Sequence, residues 1–80
     1  GGEKIEALAF SPAGNLLAAA SPEGRVRVWQ FRRGQLVRSL GDGIAGFRSV
    51  AFSPDGRWLA AASDSGAVRL WSMGKLLQDD

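Results

Sequence analysis

The chain repeats itself. Shifted by 42 residues, Ile5–Trp29 lies on Phe47–Trp71 without a gap, and 14 of 25 positions are identical. The shared residues are Ala9, Phe10, Ser11, Pro12, Gly14, Leu17, Ala18, Ala19, Ala20, Ser21, Gly24, Val26, Arg27 and Trp29, each with its twin 42 places on. A period of this length marks a supersecondary unit that cannot bury its apolar face alone and stacks on its neighbour. A lone chain of 80 residues buries only ~60–65% of its unfolded surface, so two units are near the lower limit of what stands unaided.

Each copy reads as four short strands divided by turn chemistry. Strands are expected over Ile5–Phe10, Leu16–Ser21, Arg25–Phe31 and Gln35–Leu40. In the second copy they fall at Phe47–Phe52, Trp58–Ser63 and Ala67–Ser72, with a stub near Lys75–Gln78. In Ser11-Pro12-Ala13-Gly14, proline presets φ at the second turn position and glycine permits positive φ at the last. No stretch holds ten residues of 3.6-residue periodicity, so helix is not expected.

Alternation adds a second constraint. In the first strand Ile5, Ala7 and Ala9 share one side, and Glu6, Leu8 and Phe10 the other. The second copy sets Phe47, Ser49 and Ala51 against Arg48, Val50 and Phe52. Toward the strand's far end one face is small and the other bulky, and neither suits water. Such sheets lie between two others. Bulky side chains of one then fill the hollow left by small ones on the next, a directional relation that stacks units head to tail.

A four-stranded repeat of ~40–45 residues whose third strand ends in Trp resembles the WD-repeat (Trp-Asp repeat) β-propeller family in its bacterial style. The match is carried by Ala51-Phe52-Ser53-Pro54-Asp55-Gly56, Leu59-Ala60-Ala61-Ala62-Ser63 and Gly66-Ala67-Val68-Arg69-Leu70-Trp71. The first copy repeats it with Ala9-Phe10-Ser11-Pro12-Ala13-Gly14 and Arg25-Val26-Arg27-Val28-Trp29. The resemblance implies an all-β chain of two four-stranded antiparallel propeller blades: blade 1 over 1–40, a connector over 41–46 and blade 2 over 47–80. There are departures. Gln30 and Ser72 stand where the family carries Asp after the Trp, Gly41-Asp42 where it often has Gly-His, and Glu23 and Ser65 where its turn has Asp, with Asp64 one place early. The family's Asp-His-Ser/Thr-Trp hydrogen-bond network therefore cannot form, which leaves Trp29 and Trp71 to packing and to another acceptor for the indole N–H.

Composition removes whole classes of chemistry. The sequence has no cysteine and no histidine, which rules out disulfides, the usual zinc sites and Ser-His or Cys-His nucleophile pairs. No cofactor is expected. The acids sit mostly in turns or tails, where Asp bonds locally. Only Glu6 lies within a strand, and its counterpart is Arg48. Gly41-Asp42-Gly43-Ile44-Ala45-Gly46 satisfies G-x-G-x-x-G, but it leads into a strand and reads as a connector. No apolar run approaches the ~20 residues of a membrane span. Arg25, Arg27, Arg32, Arg33 and Arg38 suggest phosphate binding along an Arg-rich edge, but they lack interleaved exposed aromatics, so nucleic acid ranks as a partner behind proteins and peptides. Gly1-Gly2 and the missing initiator Met fit an excised or engineered piece, and cytoplasm is the expected compartment.

WD-repeat propellers act mainly as rigid platforms for other proteins, so the resemblance implies a non-catalytic scaffold or a platform for protein or peptide partners. It places Trp29, Trp71, Phe10 and Phe52 in the structural core, the two Trp between blades. By the same resemblance, Glu6, Arg48 and Asp64 form the candidate interaction surface; the alternative is that Glu6 and Arg48 pair with each other. Trp58, which replaces Leu16 of the first copy, is either a blade-packing residue or a partly exposed contact. Two blades cannot close a ring. Apolar end faces carrying Ala7, Leu8, Ala9 and Phe10, and Ser49, Val50, Ala51 and Phe52, are expected to draw copies together. Four chains making eight blades are expected, with three chains and six blades as the alternative.

Overall fold

The computed structural model describes residues 4–41, 43 and 46–76. Among them the chain forms β1 (Ala7–Phe10), β2 (Leu16–Ala20), β3 (Val26–Gln30), β4 (Gln35–Leu40), β5 (Phe47–Phe52), β6 (Trp58–Ser63), β7 (Val68–Ser72) and α1 (Met73–Leu76). Two antiparallel sheets result, one ordered β1-β2-β3-β4 and the other β5-β6-β7. Among the described residues no helix is long and apolar enough to cross a membrane.

Turns set the strand ends. The Gly14 N–H donates to the Ser11 carbonyl at 2.9 Å, and the Gly24 N–H to that of Ser21 at 3.2 Å. Gly14 holds φ at +76° and Gly24 at +91°, a region in which any side chain would be strained. The second copy repeats both turns at Gly56 and Gly66.

The expected stub at Lys75–Gln78 is corrected. Lys75 and Leu76 belong to the single turn α1, while Leu77 and Gln78 lie outside the described residues. The copies diverge just before it. Phe31 and Met73 occupy equivalent positions and make the same bond, from their N–H to the carbonyls of Asn15 and Arg57. Phe31 then stays exposed while Met73 is buried at 3%. Sinking the Met73 side chain turns the backbone into α1, where the first copy runs through a turn into β4.

The two sheets pack face to face, with β1 and β2 against β5. Residues opposite each other in a register share a face. Ala7, Ala20, Val26 and Leu40 therefore form one inward row of the first sheet, and Ala9, Ala18 and Val28 another. From the second sheet Phe52, Leu59 and Trp71 form a facing row beside Val50 and Ala61. Leu16, Ala18, Ala20, Val26, Val28, Phe47, Leu59, Ala61 and Met73 make the core, with Ala7, Val50, Phe52 and Trp71 packed against it. A small face thus receives a bulky one. Each fully buried side chain such as Leu59 contributes roughly 1.5–3 kcal/mol through area removed from water.

The end faces carry half of the residues expected of them. Ala7 and Ala9 turn inward with the core rows, which leaves Leu8 and Phe10 outside at 58% and 55% exposure. Val50 and Phe52 turn inward, which leaves Ser49 and Ala51 outside. From Ser49 to Phe52 the period of two allows no other outcome once one face is chosen. Phe47, expected on the side of Ser49, turns inward instead because the strand is bulged between them.

Candidate interaction surfaces

Three surfaces remain open. The first is the bulky outer face of the first sheet, where Phe10, Leu17, Trp29 and Leu36 stand in one row with Leu8 beside them. Phe31 joins this row edge-on to Phe10, with ring centroids 5.1 Å apart and planes at 86°. The second is the small outer face of the second sheet, built from Ser49, Ala51, Ala60 and Ala62, with exposed Val68 and Leu70 on β7. Trp58 lies at its margin, 48% exposed.

The third surface is charged. β5 carries a bulge at its start: Phe47 pairs with Ser63 and Ser49 with Ala62, so Arg48 is the extra residue. Bulges re-aim side chains. Arg48 Nε–H donates to Asp64 Oδ1 in the β6–β7 turn. That bond, the charge of Asp64 and a smaller attraction from Glu6 raise the Arg48 guanidinium above its usual pKa. Glu6 is exposed just ahead of β1, with its N–H bonded to the Ala20 carbonyl at 2.8 Å. The structure thus brings all three candidate residues together where β1 and β5 begin. The ion pair is Arg48–Asp64, and Glu6 stands near enough to add a weaker attraction.

The connector fixes this end. Its Gly43 N–H reaches the Gly24 carbonyl at 3.1 Å, and the Phe47 N–H reaches that of Ser21 at 3.1 Å. Arg25 Nη1 donates to the Gly41 carbonyl at 2.9 Å. Gly46 leads straight into β5 with no helix after it, so the glycine pattern lacks the helix N-terminus that phosphate binding requires.

The expected core residues divide. Trp71 lies in the interface, edge-on to Phe47 and under the Arg69 guanidinium at 6.0 Å. Phe52 is half-buried in the same row, across Leu59 from it. Trp29 is corrected: it is half-buried on the outer face of the first sheet, with no sheet above it. Phe10 is corrected likewise, being exposed on that face. Both are the first copy's equivalents of residues that the second copy buries against the first.

Sequence reasoning missed the serine of each strand-one turn. Leu16 N–H donates to Ser11 Oγ at 3.0 Å, and Ser11 Oγ–H donates to Asn15 Oδ1 at 2.8 Å. In the second copy Trp58 N–H donates to Ser53 Oγ at 3.0 Å, and Ser53 Oγ–H donates to Asp55 Oδ1 at 2.6 Å. The twice-repeated Ser-Pro-x-Gly was the available signal. Between these turns lies a groove of about 420 Å³ lined by Asn15, Asp55 and Met73.

Two stacked antiparallel sheets built from one duplicated pattern match a known repeat. The family model described as WD domain, G-beta repeat (WD40) covers residues 1–30 and 34–72. The chain belongs to the WD40 repeat family. The chain is also similar to hydrazine synthase of Kuenenia stuttgartiensis, at 25% identity and a TM-score of 0.82 over 91% of this chain. It is similar to the β-propeller domain of Myceliophteria thermophila Cps50 (Swd1), at 26% identity and 0.80 over 88%. This WD40 chain spans 22% of the length of each. No curated protein matches the sequence significantly. Among the described residues of this WD40 pair, no three His, Cys, Asp or Glu side chains gather where a metal ion would bind.

Proposed function

We propose that this chain is a non-catalytic structural module that closes a propeller ring with copies of itself. One observation carries the reading. Inside the chain a small face receives a bulky face, and the two faces left open are the other member of each kind: bulky Leu8, Phe10 and Leu36 on the first sheet, small Ser49 and Ala51 on the second. A second copy set head to tail continues the interface that already exists. Such a contact is heterologous, and the turn between stacked twisted blades lets it close. Four chains and eight blades are the preferred ring, three chains and six blades the alternative.

Native mass spectrometry and sedimentation at micromolar concentration test this. A single closed species of four or three chains is the expected result, and Leu8→Glu on the bulky face reduces it to single chains. A well-folded monomer of the parent sequence would overturn the proposal and leave those faces to blades of other origin.

A platform for protein or peptide partners is the second reading. The exposure of the Glu6, Arg48 and Asp64 end favours it. Partner capture that survives Leu8→Glu and fails on Arg48→Glu would select it over assembly.

A further inference from the structure

Glu6 and Arg48 occupy equivalent positions in the repeat but carry opposite charge. Within the chain they sit at the starts of adjacent inner segments, β1 packing on β5. The residues behind them differ in the same sense. Behind Arg48 the β6–β7 turn supplies Asp64; behind Glu6 the equivalent turn position is the neutral Pro22. Arg48 thus has a carboxylate at the turn position where Glu6 has none.

Head-to-tail stacking repeats the relation of blade 1 to blade 2 at the next junction, now as blade 2 to the blade 1 of the next copy. Whatever lies beside Arg48 from the first blade must recur on its other flank. We propose that each Arg48 stands between two Glu6 carboxylates, its own and the next copy's, so that the ring carries a girdle of alternating charge around its axis. The inference rests on assembly by copies, and it names the residue that each copy contributes to its neighbour's site. Asp64 completes the site from Arg48's own blade. The girdle favours head-to-tail order, because a tail-to-tail or head-to-head contact would set Arg48 beside Arg48 or Glu6 beside Glu6.

The test separates contacts within a chain from contacts between chains. Glu6→Arg makes a chain with two cations, and Arg48→Glu makes one with two anions. Each alone places like charges at every junction. Its ring is expected to dissociate at a concentration at least about tenfold higher than the parent's in low salt, with the difference shrinking above about 0.5 M salt, where the screening length falls to ~3–5 Å. Mixed in equal amounts, the two restore complementary pairs at the junctions only, since each chain's internal pair stays mismatched. Native mass spectrometry should then show mixed rings, two of each chain in a ring of four and two to one in a ring of three. Four chains alternate perfectly; three would keep one like-charged junction. A second form, Arg48→Glu with Asp64→Asn, removes the carboxylate that the new Glu would face and serves where the single variant folds poorly by circular dichroism. Parent rings whose dissociation is unmoved by either variant would overturn the girdle and leave ring closure standing. So would variants that fall apart and fail to recover on mixing, since their charges then act within one chain. A monomeric parent would overturn the underlying assembly instead.

Discussion

Phe47 and Trp71 meet edge to face, ring centroids 6.0 Å apart and planes at 77°. Phe47 opens the second sheet and is 2% exposed, so its ring anchors that sheet to the first. Edge-on pairs of this kind contribute ~0.5–1.5 kcal/mol beyond the area they bury.

Phe47→Ala should therefore cost about 3–5 kcal/mol in urea melts, through lost transfer energy plus a cavity. Trp29→Ala, at a dilution where chains stand singly, should cost less than ~2 kcal/mol because its ring packs from one side only. Equal losses from both would mean that the Trp29 ring is packed as deeply as that of Phe47.

Gly46 is seated against the backbone of the first copy's β2–β3 turn: a Cβ there would overlap the Pro22 carbonyl oxygen and touch Asp64. The obstacle is backbone, which yields little. Gly46→Ala is expected to destabilise by ~1–3 kcal/mol, as overpacking does, and to lower the thermal midpoint. An unchanged melt would show that the connector has another route.

Ser11 and Ser53 make the same backbone bond, but Ser11 is buried at 8%. Ser11→Ala strands the Leu16 N–H away from water and should cost about 1–3 kcal/mol. The Ser53→Ala loss should be smaller, because the Trp58 N–H is solvent-exposed. Matched denaturant midpoints compare the two directly.

The Asp55 carboxyl is held below its usual 3.8, first by the Ser53 hydroxyl and then by the Arg57 N–H. A depressed carboxylate gives stability that is present above pH 3.8 and is lost as pH falls through its folded value. Asp55→Asn should therefore narrow the gap between melts at pH 6 and melts below pH 3. An acid limb identical to the parent's would mean that the turn does not hold the charge.

Much of this fold was legible in the residues. Gln35–Leu40, Phe47–Phe52 and Trp58–Ser63 form strands at the expected bounds, because turn glycines and period-two alternation both act locally. Which face of a sheet meets its neighbour is not local. Trp29 and Trp71 have the same sequence surroundings, yet only Trp71 has a sheet above it, since the stack has a beginning and an end. Arg48's aim toward Asp64 depends on a bulge, and no residue type announces one there. The helical turn after β7 hangs on Met73 finding the core, a gain that periodicity over four residues cannot reveal.

One sheet ends bulky and the other small, and in the proposed ring that asymmetry decides how a damaged copy would behave among sound ones. A chain whose small face has been filled, by Ala60→Trp for example, still offers an intact bulky face. It would dock at one end of a growing row and refuse the next arrival, acting as a cap. A chain spoiled on its bulky face would cap the opposite end. Small doses of either would poison closure out of proportion to their number, and the two together would set the length of an open row, as stoppers do in any polymer with a direction.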